Sequence, residues 1–252
     1  MSGHSKWASI KHQKGVTDAR RGQLFTKLTR EIIIVTRDGG SSPDTNFRLR
    51  LAVQKARDNN MPQDNIERAI KRGSGELEGA NLVEVTLEGY GPNGIAILVS
   101  GLSDNRNRTI QEVRSIFSRH GGSLGESGCV AWLFDLKGLI RVKTDSLDAD
   151  ELGLAAIDAG AEDVKMESDY VEVFTKPEEL ETVRTTLEQQ NLTIDSAEIS
   201  MVPKTVIQLD EKAALQALKL LDKLEESDEV QNVYSNADFP DAVLETYQIQ
   251  QA

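Results

Sequence analysis

The feature that most constrains this fold is a change of hydrophobic period at the stretch GSGELEG, residues 73–79. Before it, apolar residues recur at helical spacing; beyond it they recur as in strands. Thr17 and Asp18 offer an N-cap and a first-turn acid for a helix that stops at Gly39 and Gly40. Leu24, Phe25, Leu28, Ile32 and Val35 define its buried stripe, which places Lys27, Arg30, Ile34 and Arg37 on the other face. Asp44 precedes a second helix with Phe47, Leu51, Ala52 and Ala56, ending near Asn59 and Asn60. Pro62 suits the first turn of a third, whose stripe is Ile66, Ala69 and Ile70. Lys71 and Arg72 close its last turn, where the helix dipole favours cations, and Gly73 reads as its C′ residue. Three helices with short connections make a small bundle.

Past the linker, residues 83–88 and 95–102 are β-rich and flank GYGPNG, a hairpin loop. A helix follows, capped by Ser103 or Asp104, with Ile110, Val113 and Phe117 as its stripe and its end at His120 and Gly121. Residues 130–136 read as the next strand, with Trp132 and Phe134 on one face. From 139 to 201 the pattern spells β-α-β-β-α-β, a ferredoxin-like unit complete in itself. A strand, a helix and a strand come after Pro203, and the first β-β-α-β stretch needs them to complete its sheet. The fold class expected is therefore α+β in three parts: residues 1–75 as basic arm and bundle, 76–136 with 203–252 as one α/β domain, and 137–202 as a ferredoxin-like domain inserted into it. Three domains in simple series is the alternative.

Charge divides at the same linker. Residues 1–75 hold 15 Lys and Arg against 7 Asp and Glu, while the whole chain carries a net charge of −12, which leaves −20 beyond residue 75. An asymmetry of this kind suggests an anionic partner for one end. From Met1 to Val16 the chain is basic and lacks a sustained apolar period, so it reads as an arm with Trp7 and Ile10 as its sizeable apolar groups. Lys6, Trp7, Lys11, His12, Lys14, Arg20 and Arg21, followed by Lys27 and Arg30, are the candidate nucleic-acid contacts, combining phosphate neutralisation with one indole for base stacking. For the helix cations taken alone, a solvated face is the competing reading. No apolar run approaches the ~20 residues that span a bilayer, the first residues lack the apolar stretch of a secretory signal, and a lone cysteine, Cys129, fits a reducing compartment. The expected location is the cytoplasm.

Candidate chemistry is scarce. His4, His12 and His120 lack metal-ligand spacing, so no metal or cofactor is expected; His120 reads as a helix-end cap. The glycines of GGSLGESG, residues 121–128, lie between a helix and a strand, whereas a dinucleotide fingerprint needs strand before helix, so a flexible surface loop is expected. The stretch DNRNRT, residues 104–109, places Arg106 and Arg108 in a helix's first turn, against the macrodipole. Either Asp104 and Glu112 pair with them, or guanidinium forks and free N–H groups form an anion site.

The strings GHSKWASIKHQK, RRGQLFTKLTREI, LRLAVQKARDNNMPQDNIERAIKRGSGE, EGYGPNGIAILV, SDNRNRT and HGGSLGESGCVAWLF together resemble the YebC/PmpR family, strongly over residues 3 to about 136 and more diffusely to the C-terminus. Ser9, Gly15, Val16, Thr29, Phe47 and Cys129 depart from the family's pattern, and none of these removes a cation discussed above. The resemblance implies an N-terminal helical bundle and two α/β domains, the last inserted in the middle one. It also implies two functions, DNA-binding regulation of transcription and action on the ribosome that eases synthesis of proline-rich stretches. A helix-turn-helix signature is not visible, and the acidic remainder would repel a duplex. The expectation is a non-enzymatic regulator bound to ribosomal RNA, with DNA-binding regulation as the alternative, and with neither membrane nor small-molecule substrate as partner.

Overall fold

The computed structural model describes residues 18–78, 81–144, 148–167 and 170–251. Helices α1 (Asp18–Gly39), α2 (Phe47–Asp58) and α3 (Gln63–Gly73) form the bundle. Its core is Leu28, Ile32, Leu49, Ala52, Ala56, Ile66 and Ala69, closed by Leu82 and Leu102 from the chain that follows. Asn46 joins the first two helices. Its side-chain oxygen accepts from the Leu49 N–H at 3.0 Å, capping α2, while its amide nitrogen donates to the carbonyls of Val35 and Gly40 at 2.7 and 2.8 Å. Gly73 is the last residue of α3 rather than its C′. A Cβ there would stand 2.6 Å from the Ile33 carbonyl oxygen, so the small residue serves close approach of α1 and α3.

The central α/β part is built from β1 (Val83–Tyr90), β2 (Ala96–Ser103), α4 (Arg106–Arg119) and β3 (Ser123–Leu124). After the segment 134–202 it resumes with β8 (Ile207–Gln208), α7 (Glu211–Glu225), β9 (Val230–Ser235), β10 (Ala237–Asp238) and α8 (Asp241–Gln251). The main sheet runs β3-β1-β2-β9, and β8 pairs with β10 in parallel. The hairpin between β1 and β2 turns through Asn93 and Gly94, at φ of 57° and 75°. Asp210 caps α7 by accepting from the Ala213 N–H at 2.8 Å. The helix then buries Leu218, Leu220, Leu221 and Leu224 completely, each worth roughly 1.5–3 kcal/mol against exposure.

The segment Phe134–Val202 is a second compact unit. It comprises β4 (Phe134–Lys143), α5 (Ala149–Asp158), β5 (Asp163–Met166), β6 (Tyr170–Thr175), α6 (Leu180–Gln189) and β7 (Ile194–Pro203). Its sheet order, β5-β6-β4-β7, is the ferredoxin-like one. Ile140, Val142, Val171 and Val173 alternate onto one face, and Arg141 pairs with Glu172 at 3.2 Å on the other, both side chains buried.

Three further expectations are corrected. Ile34 is buried, not on an outer face, because α1 is covered on more than one side. Residues 130–136 are not a strand: Ala131–Leu133 is a short 3-10 turn and β4 begins at Phe134. The N–H groups of Val130 and Ala131, which a sheet ladder would need, are taken by the Glu88 carboxylate at 2.8 and 2.7 Å. The glycine-rich loop after α4 is not a plain surface loop either, since Ser123 and Leu124 pair with Tyr90 and Gly89 of β1.

Candidate nucleic-acid interface

Lys6, Trp7, Lys11, His12 and Lys14 lie outside the described residues, as does the side chain of Arg20. Arg21 is exposed on the first turns of α1. Lys27 and Arg30, one turn apart further along, are half-buried and bonded to backbone carbonyls rather than fully solvated. Lys27 Nζ donates to the Glu225 carbonyl at the end of α7, where the last turn leaves carbonyls without helical partners and the dipole favours a cation. Arg30 Nη1 donates to the Asp228 carbonyl at 2.9 Å and to the Leu102 carbonyl at 3.2 Å. Arg37 Nη1 likewise reaches the Leu82 carbonyl at 2.6 Å. One row of α1 cations thus ties the bundle to the central α/β part.

The pair at the start of α4 separates. Asn105, not Ser103 or Asp104, is the cap, accepting from the Arg108 N–H at 3.2 Å. Arg108 Nη2 binds Asp104 at 2.6 Å and also Glu229, whose buried carboxylate takes the Thr109 hydroxyl on its other oxygen. Glu229 first, then Asp104, holds the Arg108 guanidinium above its ordinary pKa. Glu112 has no part in this pairing. Arg106, beside it, is exposed and has no side-chain partner among the described residues.

The described residues add cations that spacing alone does not single out. Arg57 on α2 and Arg68, Lys71 and Arg72 on α3 are exposed, and none has a side-chain partner among the described residues. For α3 the signal is present in the sequence, because its apolar residues lie on one side and Arg68, Lys71 and Arg72 on the other. Position in the last turn accounts for Lys71 and Arg72 as dipole partners and so hides their place on that side. A cleft of about 540 Å³ lies between α1 and α3, lined by Phe25, Thr29, Asn65 and Arg72 among others. It combines an aromatic ring, an amide and the cations Arg30 and Arg72 with the carboxylates of Glu78 and Asp104.

Elsewhere, the groups around Glu88 and the end of α4 are satisfied internally. Burial pushes the Glu88 carboxyl up, but N–H bonds from Gly128, Val130 and Ala131 together outweigh it and hold the group below its ordinary range. Burial, and the charge of Glu88, push the Cys129 thiol up, away from nucleophilic thiolate. His120 Nδ1 lies 2.9 Å from the Ile116 carbonyl, as a helix-end group. Among the described residues no three His, Cys, Asp or Glu are placed to hold a metal ion, and no helix is long and apolar enough to cross a membrane.

Comparison with known proteins accords with this architecture. The family model described as TACO1/YebC protein N-terminal domain matches residues 5–76, and that of the TACO1/YebC second and third domain matches residues 82–237. A relative from Dehalococcoides mccartyi strain 195, named a probable transcriptional regulatory protein, is 64% identical over 250 residues, covering 99% of this chain and all of its own. A relative of the same name from Desulfosudis oleivorans is 54% identical over 97% of the chain and all of its own. The crystal structure of a conserved hypothetical protein from Aquifex aeolicus superposes with a TM-score of 0.85 at 49% identity, covering 94% of this chain and 98% of that one. With both family models matched over most of its length, the chain belongs to the TACO1/YebC family.

Proposed function

We propose that this protein is a non-enzymatic regulator of gene expression that binds ribosomal RNA on the ribosome through its basic arm and helical bundle. The carrying observation is the one-sided charge, 15 cations against 7 acids up to residue 75 and a net −20 beyond. Lys6, Trp7, Lys11, His12, Lys14, Arg20 and Arg21 supply the arm's contacts, and the exposed Arg57, Arg68, Lys71 and Arg72 extend them over the bundle. Arg106 remains a candidate phosphate contact; Lys27, Arg30 and Arg108 act through the fold. The division into residues 1–75, 76–136 with 203–252, and 137–202 belongs to this reading, with the two acidic domains facing protein or solvent in the cytoplasm. By family resemblance, the outcome is easier synthesis of proline-rich stretches.

A single basic end suits irregular RNA, where unstacked bases meet an aromatic ring. A duplex reader fixes its register through phosphates along the groove. The name carried by the relatives favours a second reading, a DNA-binding transcriptional regulator. Sedimentation of native extracts at near-physiological salt separates the two. Co-sedimentation with ribosomal particles, abolished by neutralising the arm's lysines, is the expected result; recovery with nuclease-sensitive DNA would overturn it.

A further inference from the structure

Tyr90, at the end of β1, and Trp132, in the turn before β4, share one acceptor. Tyr90 Oη lies 3.0 Å and Trp132 Nε1 3.1 Å from the Cys129 carbonyl oxygen. Both rings nevertheless stay in solvent, Trp132 at 66% exposure and Tyr90 at 39%. The loop that carries Trp132 is held by the Glu88 carboxylate, which takes the N–H groups of Gly128, Val130 and Ala131. It is fixed from the side by Lys204, whose Nζ donates to the Trp132 carbonyl at 3.0 Å and whose N–H donates to the Leu133 carbonyl at 2.9 Å. Orientation of an exposed indole by this many bonds adds little to a core. It does prepare a surface, since tryptophan and tyrosine anchor interfaces and pre-organisation lowers the cost of binding.

The chemistry of the occupant follows from what the rings still offer. Both polar handles are used on Cys129, so a proline-rich segment finds no indole or phenol donor for its carbonyls. Ring faces remain, and these take a nucleobase or a cation. Charge decides between them. Glu126 is exposed and opens the turn that Cys129 closes, the Cys129 N–H lying 3.2 Å from its carbonyl oxygen, and the Glu88 carboxylate lies beneath. Over residues 81–133 and 203–252 the sequence holds 8 Lys and Arg against 15 Asp and Glu. The Lys204 ammonium is engaged on the Trp132 carbonyl, so the net-acidic surface around the rings favours a cation over a phosphate, and guanidinium stacks on indole better than ammonium does. We propose that Tyr90 and Trp132 form a docking platform for an arginine of a basic protein segment, stacked on the Trp132 ring with Glu126 as its carboxylate partner. These residues lie outside the basic stretch 1–75, and the proposal goes beyond the nucleic-acid reading.

The test titrates the full chain with a labelled peptide of alternating arginine and glycine, its lysine counterpart, and a single-stranded uridine oligonucleotide. Trp132→Ala should weaken the arginine peptide by about five- to tenfold, and Trp132→Phe by less. Glu126→Gln should weaken it by about two- to threefold, and the lysine peptide should bind less tightly than the arginine one. Unchanged thermal midpoints show that the variants fold. Equal arginine-peptide affinity for parent and Trp132→Ala would overturn the proposal, as would a Trp132→Ala defect confined to the oligonucleotide. Loss of RNA binding on arm neutralisation bears on the nucleic-acid reading alone, so the two can fail separately.

Discussion

At the scale of single residues, the best-defined groups of the central part are buried acids with assigned partners. Glu88 is 5% exposed and accepts from three backbone N–H groups. Glu88→Gln turns an amide N–H₂ toward those donors and should destabilise the protein by about 1–3 kcal/mol in urea unfolding. The folded-state pKa of this group lies below its ordinary 4.5. Its contribution is therefore present above that value and is lost as pH falls through the folded-state pKa. The stability gap between parent and variant should narrow on acidification below about pH 4.5; a gap that stays constant to lower pH contradicts this account. At the start of α4, Arg108→Ala strips a buried carboxylate, Glu229, of its cation and should lower the thermal midpoint. Arg106→Ala should leave that midpoint unchanged and weaken polyanion binding. Identical thermal losses for both would restore a purely structural reading of the pair. Spacing alone places both arginines in one turn, but the partner that separates them lies more than a hundred residues away.

At the scale of elements, patterns with one dominant period are legible in the sequence. The three bundle helices, the hairpin at residues 90–96 and the β-α-β-β-α-β order all follow from apolar spacing and turn residues. What periodicity misses is set by groups distant in sequence. Ile34 reads as outward on an isolated α1 and is buried because the helix has a second packed side. The apolar run around Trp132 has strand composition, yet a carboxylate from β1 takes the N–H groups a strand would use. The C-terminal helix α8, with Val243, Leu244 and Tyr247 buried, follows Pro240 as α3 follows Pro62, but its short apolar stripe leaves that start signal faint. Docking of α1 is the element whose role changes most. Lys27 and Arg30 bond to carbonyls at Glu225, Asp228 and Leu102, where charged hydrogen bonds contribute about 1.5–3 kcal/mol each at most. Lys27→Ala with Arg30→Ala should speed amide exchange in α1 and lower stability by about 2–4 kcal/mol, leaving the salt slope of nucleic-acid binding unchanged. A reduced slope with full stability would return both residues to the phosphate interface.

At the scale of the molecule, charge is partitioned rather than spread, with a basic end followed by an acidic remainder. That partition is readable from composition, whereas the cationic side of α3 needs the fold to separate Arg68, Lys71 and Arg72 from the packed face. Neutralising Lys6, Lys11, Lys14, Arg20 and Arg21 together should flatten the dependence of log K on log salt by about 0.7–0.9 for each phosphate that is no longer neutralised. Trp7→Ala should reduce binding to RNA more than to duplex DNA, because stacking contributes ~1–3 kcal/mol per base only where a base is exposed. The most direct measurement is competition at one near-physiological ionic strength between a structured ribosomal RNA and a random DNA duplex for the full chain. Clear preference for the RNA is the result expected of a ribosome-bound regulator. Equal affinity for both polymers, or tight sequence-specific binding to a promoter duplex, would contradict it.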